Sequence, residues 1–132
     1  MSYTNPITVM YKTPVVHDLG DGAVVTAWSF KGPPGKKGKL IDIGFHVTET
    51  FAVDNTPAKI QVGTAADPDA YGVLNIPDAT AITDYYNSIS DTDAIIDQNL
   101  PADTQIEVLP VVGTDAGTEA GMGWETVTVE WY

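Results

Sequence analysis

His17 and His46 are the only imidazoles in this 132-residue chain, and it has no cysteine. A hydrolytic triad needs a nucleophile presented on a strained turn within reach of a histidine. GxSxG does not occur, and the serines are Ser2, Ser29, Ser88 and Ser90. His46 falls on the outward phase of a strand and His17 precedes a turn, so both read as surface or strand histidines. Carboxylates are plentiful: Asp67 with Asp69, Asp91 with Asp93, Asp97, and Asp115 with Glu119. A glycosidase needs two of them facing a cleft at a set separation, whereas these fall in expected loops. Calcium suits loop aspartates better. The Asp91, Asp93, Asp97 run, however, lacks an EF-hand's third acidic position and central glycine, and has Ala102 where the terminal glutamate belongs. Asp67 and Asp69 are the other cation candidates. No catalytic residue, metal ligand or cofactor is assigned, and the expectation is a protein that is not an enzyme.

A different chemistry is concentrated in residues 31–39, KGPPGKKGK. Lys31, Lys36, Lys37 and Lys39 are four of the six basic residues, all of them lysines, on a chain with net charge −12. Pro33 and Pro34 stiffen the segment, and three glycines let it turn. Two readings stand together: a cationic contact for an acidic partner surface, or a soluble hairpin loop whose lysines discourage edge pairing. A phosphate loop is excluded, because GxxxxGK[ST] is absent and no helix is expected to follow. A strongly acidic chain without arginine repels nucleic acid and anionic lipid, so neither is expected as a partner.

The elements that hold these residues are strands. Nine prolines and twelve glycines divide the chain into short runs rich in Val, Ile, Thr, Tyr and Trp, the pattern of an all-β domain. Residues 39–51 alternate most clearly, with Ile41, Ile43, Phe45 and Val47 inward and Asp42, Gly44, His46 and Thr48 outward. Further strands are expected at 7–11, 23–30, 59–63, 70–74, 104–112 and 125–131, the last with Val127, Val129 and Trp131 inward. Trp28 and Trp131 read as core. Ile82, Tyr85, Tyr86 and Ile89 fit one helical face behind an Asp78 cap, so one short helical turn is expected there, with strand pairing of 94–98 as its competitor. About eight strands with some long loops predict a jelly-roll-like β-sandwich; an immunoglobulin-like sandwich also fits the count.

Length supports one core. Folded-surface scaling gives roughly 6,700 Å² for this size against about 20,400 Å² for the open chain. The expected organisation is an extended N-terminal arm over 1–14 and a single sandwich domain over 15–132. No signal peptide or membrane span is expected.

Several runs in order resemble a known class: GKLIDIGFHVTETF at 38–51, TPAKIQVGT at 56–64, DPDAY at 67–71, LPADT at 100–104, and the VGT and GMG turns at 112–114 and 121–123 before a Val–Thr alternating strand. The set resembles small virion structural proteins of tailed bacteriophages, of the head-decoration or capsid-cement type, over residues 38–132. The resemblance implies a β-sandwich on the capsid exterior, commonly a homotrimer, which stabilises the shell by bridging capsomers of the major capsid protein and catalyses nothing. With the physics of exposed strands, it makes the N-terminal arm a natural contact, through Tyr3 and Ile7, beside the lysine segment. The alternative is a carbohydrate-binding or receptor-binding module on the same fold, using Trp124 and Tyr132 as an aromatic platform.

Overall fold

The alternating run at 39–51 becomes the longest strand of a computed structural model, which describes residues 6–13, 15–19, 25–52, 57–76, 85–88, 93–113 and 120–132. Among the described residues ten strands follow in order: β1 Ile7–Lys12, β2 His17–Asp18, β3 Trp28–Phe30, β4 Gly38–Ala52, β5 Lys59–Gly63, β6 Gly72–Asn75, β7 Tyr85–Asn87, β8 Asn99–Leu100, β9 Ile106–Val111 and β10 Ala120–Trp131. One sheet runs β1-β10-β4-β7, with β2 added on β10 and β8 on β4; the other runs β3-β9-β5-β6.

Every pairing is antiparallel. Setting aside the two-residue strands β2 and β8 and renumbering the rest from one to eight, the sheets read 1-8-3-6 and 2-7-4-5. That is the order of a ribbon paired 1·8, 2·7, 3·6 and 4·5 and then rolled so that 8 meets 3 and 7 meets 4: a jelly roll. Its accessible surface is 6764 Å², matching the scaling for one well-buried core.

The inward phases of the two sheets make that core. Leu40, Ile43, Phe45 and Val47 of β4, with Val127, Val129 and Trp131 of β10, share one cluster with Ile60 and Val62 of β5, Leu74 of β6, and Ile106 and Val108 of β9. Each such side chain contributes about 1.5–3 kcal/mol when fully buried. Aromatic rings stitch the layers: Tyr11 of β1 stacks on Phe30 of β3 at 4.0 Å and 11°, and Phe30 meets Trp131 edge-on at 6.4 Å.

Two expectations are corrected. Ile41, placed inward by strict alternation, is 40% exposed while Leu40 is buried. The β10 ladder pairs Thr128 with Asp42 but Val129 with Leu40, so Ile41 is the extra residue of a β-bulge, and the bulge resets the phase. The helical turn meets a strand instead: Tyr85–Asn87 pairs with His46, Phe45 and Gly44 of β4. Ladder bonds to an open strand edge outweigh a short amphipathic pattern, because isolated helical turns are marginal. The described residues contain no helix; Asp78, Ile82 and Ile89 lie outside them. The rival strand at 94–98 reduces to a bridge between Ile95 and Gly72. The strand expected at 7–11 is β1, which pairs along its length with β10, so these residues of the expected 1–14 arm lie in the six-stranded sheet.

Candidate functional site

The lysine segment leaves β3 and enters β4 through a turn whose conformation is pinned at several points. The Lys36 amide donates to the Pro33 carbonyl at 3.1 Å, and Lys37 and Tyr132 exchange backbone hydrogen bonds of 3.0 and 2.9 Å. Gly35, with φ of +73°, donates its amide to Asp103 Oδ1 at 2.9 Å. Glycine reaches this left-handed conformation without steric cost. Gly32 and Gly38 lie against the Trp131 ring: a Cβ on either would come within 2.5 and 2.7 Å of its carbons. The turn is therefore seated on a buried indole, which in turn donates through Nε1 to the Tyr11 hydroxyl at 2.9 Å.

Lys31, Lys37 and Lys39 are exposed and Lys36 is half-buried. Lys39 lies across from Glu130 in the ladder, but among the described residues no carboxylate forms an ion pair with any of the four. Beside them, Lys37, Asn99, Leu100, Pro101 and Tyr132 line a shallow pocket of about 310 Å³.

Ile7 arrives at the same end of the molecule. It is 47% exposed and pairs with Trp131, which pairs on its other side with Gly38. Across two strand spacings, Ile7 and the base of the lysine turn are about 10 Å apart. The cationic segment and the N-terminal run, chosen on separate grounds, thus meet at one end of the six-stranded sheet. Tyr3 lies outside the described residues.

The proposed sugar platform is not assembled. Trp124 and Tyr132 are separated along β10 by about 25 Å. The Trp124 indole is also occupied: His46 of β4 stacks on it at 3.8 Å and 7°, and Lys12 Nζ of β1 sits 4.1 Å from its ring centroid. Burial, and secondarily the Lys12 charge, hold the His46 imidazole below its ordinary range. Replacing Lys12 with Met should raise the His46 titration part of the way back, as read from its ring-proton shifts by NMR; an unmoved titration would show that the ammonium is not felt.

Asp67 and Asp69 do come together, and the hydrogen bond that the protonated Asp67 carboxyl donates to Asp69 holds Asp67 above its usual value. Among the described residues no group of three or more potential ligands gathers around a metal position. Asp91 lies outside those residues.

One polar cluster escaped the reading of the sequence. His17 is buried, not on the surface: its Nε2 lies 2.8 Å from Glu125 Oε1 and 3.1 Å from Thr13 Oγ1. Trp28 Nε1 also donates to Glu125 Oε1. Glu125 is 0% exposed, and its Oε2 has no partner among the described residues. The signal was present in the alternation, since Glu125 shares the inward phase of Val127, Val129 and Trp131. Burial pushes the Glu125 carboxyl up, opposed by the Trp28 hydrogen bond and by His17.

The fold defines the class, an all-β jelly roll of two antiparallel sheets. No family model matches the sequence, and no curated protein matches it. Among solved structures, the chain is similar to one in the acidic stable capsid structure of Helicobacter pylori bacteriophage KHP30, at 9% identity and TM-score 0.44, covering 94% of this chain and 93% of that one. It is also similar to the Tobacco streak virus coat protein, at 12% identity and TM-score 0.42, covering 98% of this chain and 88% of that one.

Proposed function

We propose that this protein is a structural subunit of a virion that decorates and stabilises the capsid exterior of a tailed bacteriophage. Jelly rolls serve many functions, so the reading is carried by one observation: the cationic turn and the exposed start of β1 share an end of the sandwich. The body is strongly acidic, and this end is where its charge favours approach to another acidic surface. A turn held by backbone bonds and a buried indole is pre-organised for contact, so less ordering entropy is lost on docking. The ordered runs that resemble decoration proteins support the same reading. In it, the partner is the major capsid protein, the subunits act as a homotrimer bridging capsomers, and binding raises the free energy of opening the shell by mass action.

Charge reversal tests the docking end. Lys36→Glu with Lys37→Glu should slow association with phage heads and weaken retention in co-sedimentation. The wild-type advantage should be largest at low salt and shrink once the screening length falls below about 8–10 Å. The melting temperature of the isolated protein should change little, because exposed turn residues carry little folding energy. Equal retention of both proteins at low salt would remove the turn from the contact.

A further inference from the structure

Glu125 lies six residues along β10 from Trp131, well away from the docking end, and the proposed function makes no use of it. Two side chains converge on its Oε1 from different layers: His17 Nε2 from β2 in its own sheet and Trp28 Nε1 from β3 in the opposite one. Oε2 is buried and bare among the described residues. The surroundings supply little other charge. Its ladder partner on β4 is Phe45, Thr13 and Trp28 are neutral, and among the described residues His17 is the one titratable group in contact with it. Asp18 and Lys12, next along the chain, are exposed, and the Lys12 ammonium lies over Trp124.

Against the cluster lies a pocket of about 460 Å³ walled by residues 15–18 and 25–28. Val15 and Val16 on that wall are exposed. The wall is lightly tied. Among the described residues, the β2 ladder to β10 consists of the Asp18–Met122 and His17–Gly123 pairs, with flanking bonds from the Thr13 amide to Glu125 O and the Leu19 amide to Gly121 O.

We propose that Glu125, His17 and Trp28 form a proton-operated latch across the sandwich, closed while the Glu125 carboxyl keeps its proton and loosened when that proton leaves. While Glu125 is protonated no charge is buried at its position, and Oε1 still accepts from Trp28 Nε1. Without the proton, a carboxylate is buried there, and its Oε2 has no donor among the described residues. An unpaired buried charge is costly, and water reaches it most directly through the pocket. The two-residue strand β2 is inexpensive to release, because few ladder bonds hold it.

The sign follows from the carboxyl being raised on folding. Between its unfolded and folded values, the folded chain keeps a proton that the unfolded chain has lost. Stability from the closed latch is therefore complete below the ordinary carboxyl range and is lost as pH rises through the raised value.

Amide hydrogen exchange and carboxyl carbon NMR from pH about 4.5 to about 8, spanning ordinary carboxyl and imidazole titration, test the latch on the intact chain. One of the five glutamates should titrate above the ordinary carboxyl range. Over the same interval the protection of His17 and Leu19, corrected for intrinsic exchange, should fall about tenfold per pH unit, while Val108 in β9 is unaffected. In Glu125→Gln the protection of His17 and Leu19 should be flat with pH. Ordinary titration of all five glutamates in the wild type would overturn the latch, and so would protection at His17 and Leu19 that tracks Val108. Both wild-type measurements decide the matter even if the Gln variant does not fold.

Discussion

Phe45→Ala should lower the unfolding free energy by about 3–5 kcal/mol, at the upper end of the range for aromatic truncation in a core. Phe45 is fully buried and meets Phe51 edge-on at 5.6 Å. The reason for expecting the upper end is its other neighbour. The ring fills the space over Gly123, where a Cβ would come within 2.3 Å of the ring and 2.2 Å of the His46 carbonyl oxygen. Glycine has no side chain to move into the vacated volume, so the cavity stays open. Chemical denaturation followed by tryptophan fluorescence measures the loss, and an unchanged midpoint would overturn the inward phase of β4.

Trp131→Ala should cost a similar amount, about 3–5 kcal/mol, and should also weaken partner binding beyond what that loss explains. The indole is buried, meets Phe30 edge-on and donates to the Tyr11 hydroxyl. Its removal strips the surface on which Gly32 and Gly38 rest. The lysine turn then keeps its charges but loses its seat. Co-sedimentation with phage heads at a temperature where the variant is still folded separates the effects. Retention equal to wild type under those conditions would show that the lysines act as a diffuse charge, whatever their orientation.

Much of this architecture was legible because it depends on a period of two. Ile43, Phe45, Val47, Val127, Val129 and Trp131 all fall inward as alternation predicts. Alternation carries no information about an inserted residue, so the bulge that exposes Ile41 could not be read from β4 alone; it belongs to the register with β10. The Tyr85, Tyr86 pattern failed for a related reason. A short run compatible with a helix is claimed by whichever partner is available, and here the free edge of β4 was available. At the candidate site, the lysines were legible as a local excess of charge. Their seating on Trp131 was not, since it joins residues about a hundred positions apart. Glu125 was readable in phase, but its contacts with His17 and Trp28 were not, since they too join residues about a hundred positions apart.

The pairing of Ile7 with Trp131 and of β4 with β10 has a consequence for the order of folding. Ile7 and Trp131 are 124 positions apart, and the longest ladder, β4 with β10, also waits for the last strand described. Until residues 120–131 have been made, β1 has no partner on the β10 side and β4 lacks its longest neighbour. Loop closure over such spans must occur before the contacts repay it, which puts folding of this topology in the range of roughly milliseconds to seconds. Throughout that interval the edge of β4 and the exposed apolar residues of β1 are open to other chains. The heavy negative charge of the chain opposes such encounters during synthesis, a duty separate from any it serves in the finished fold.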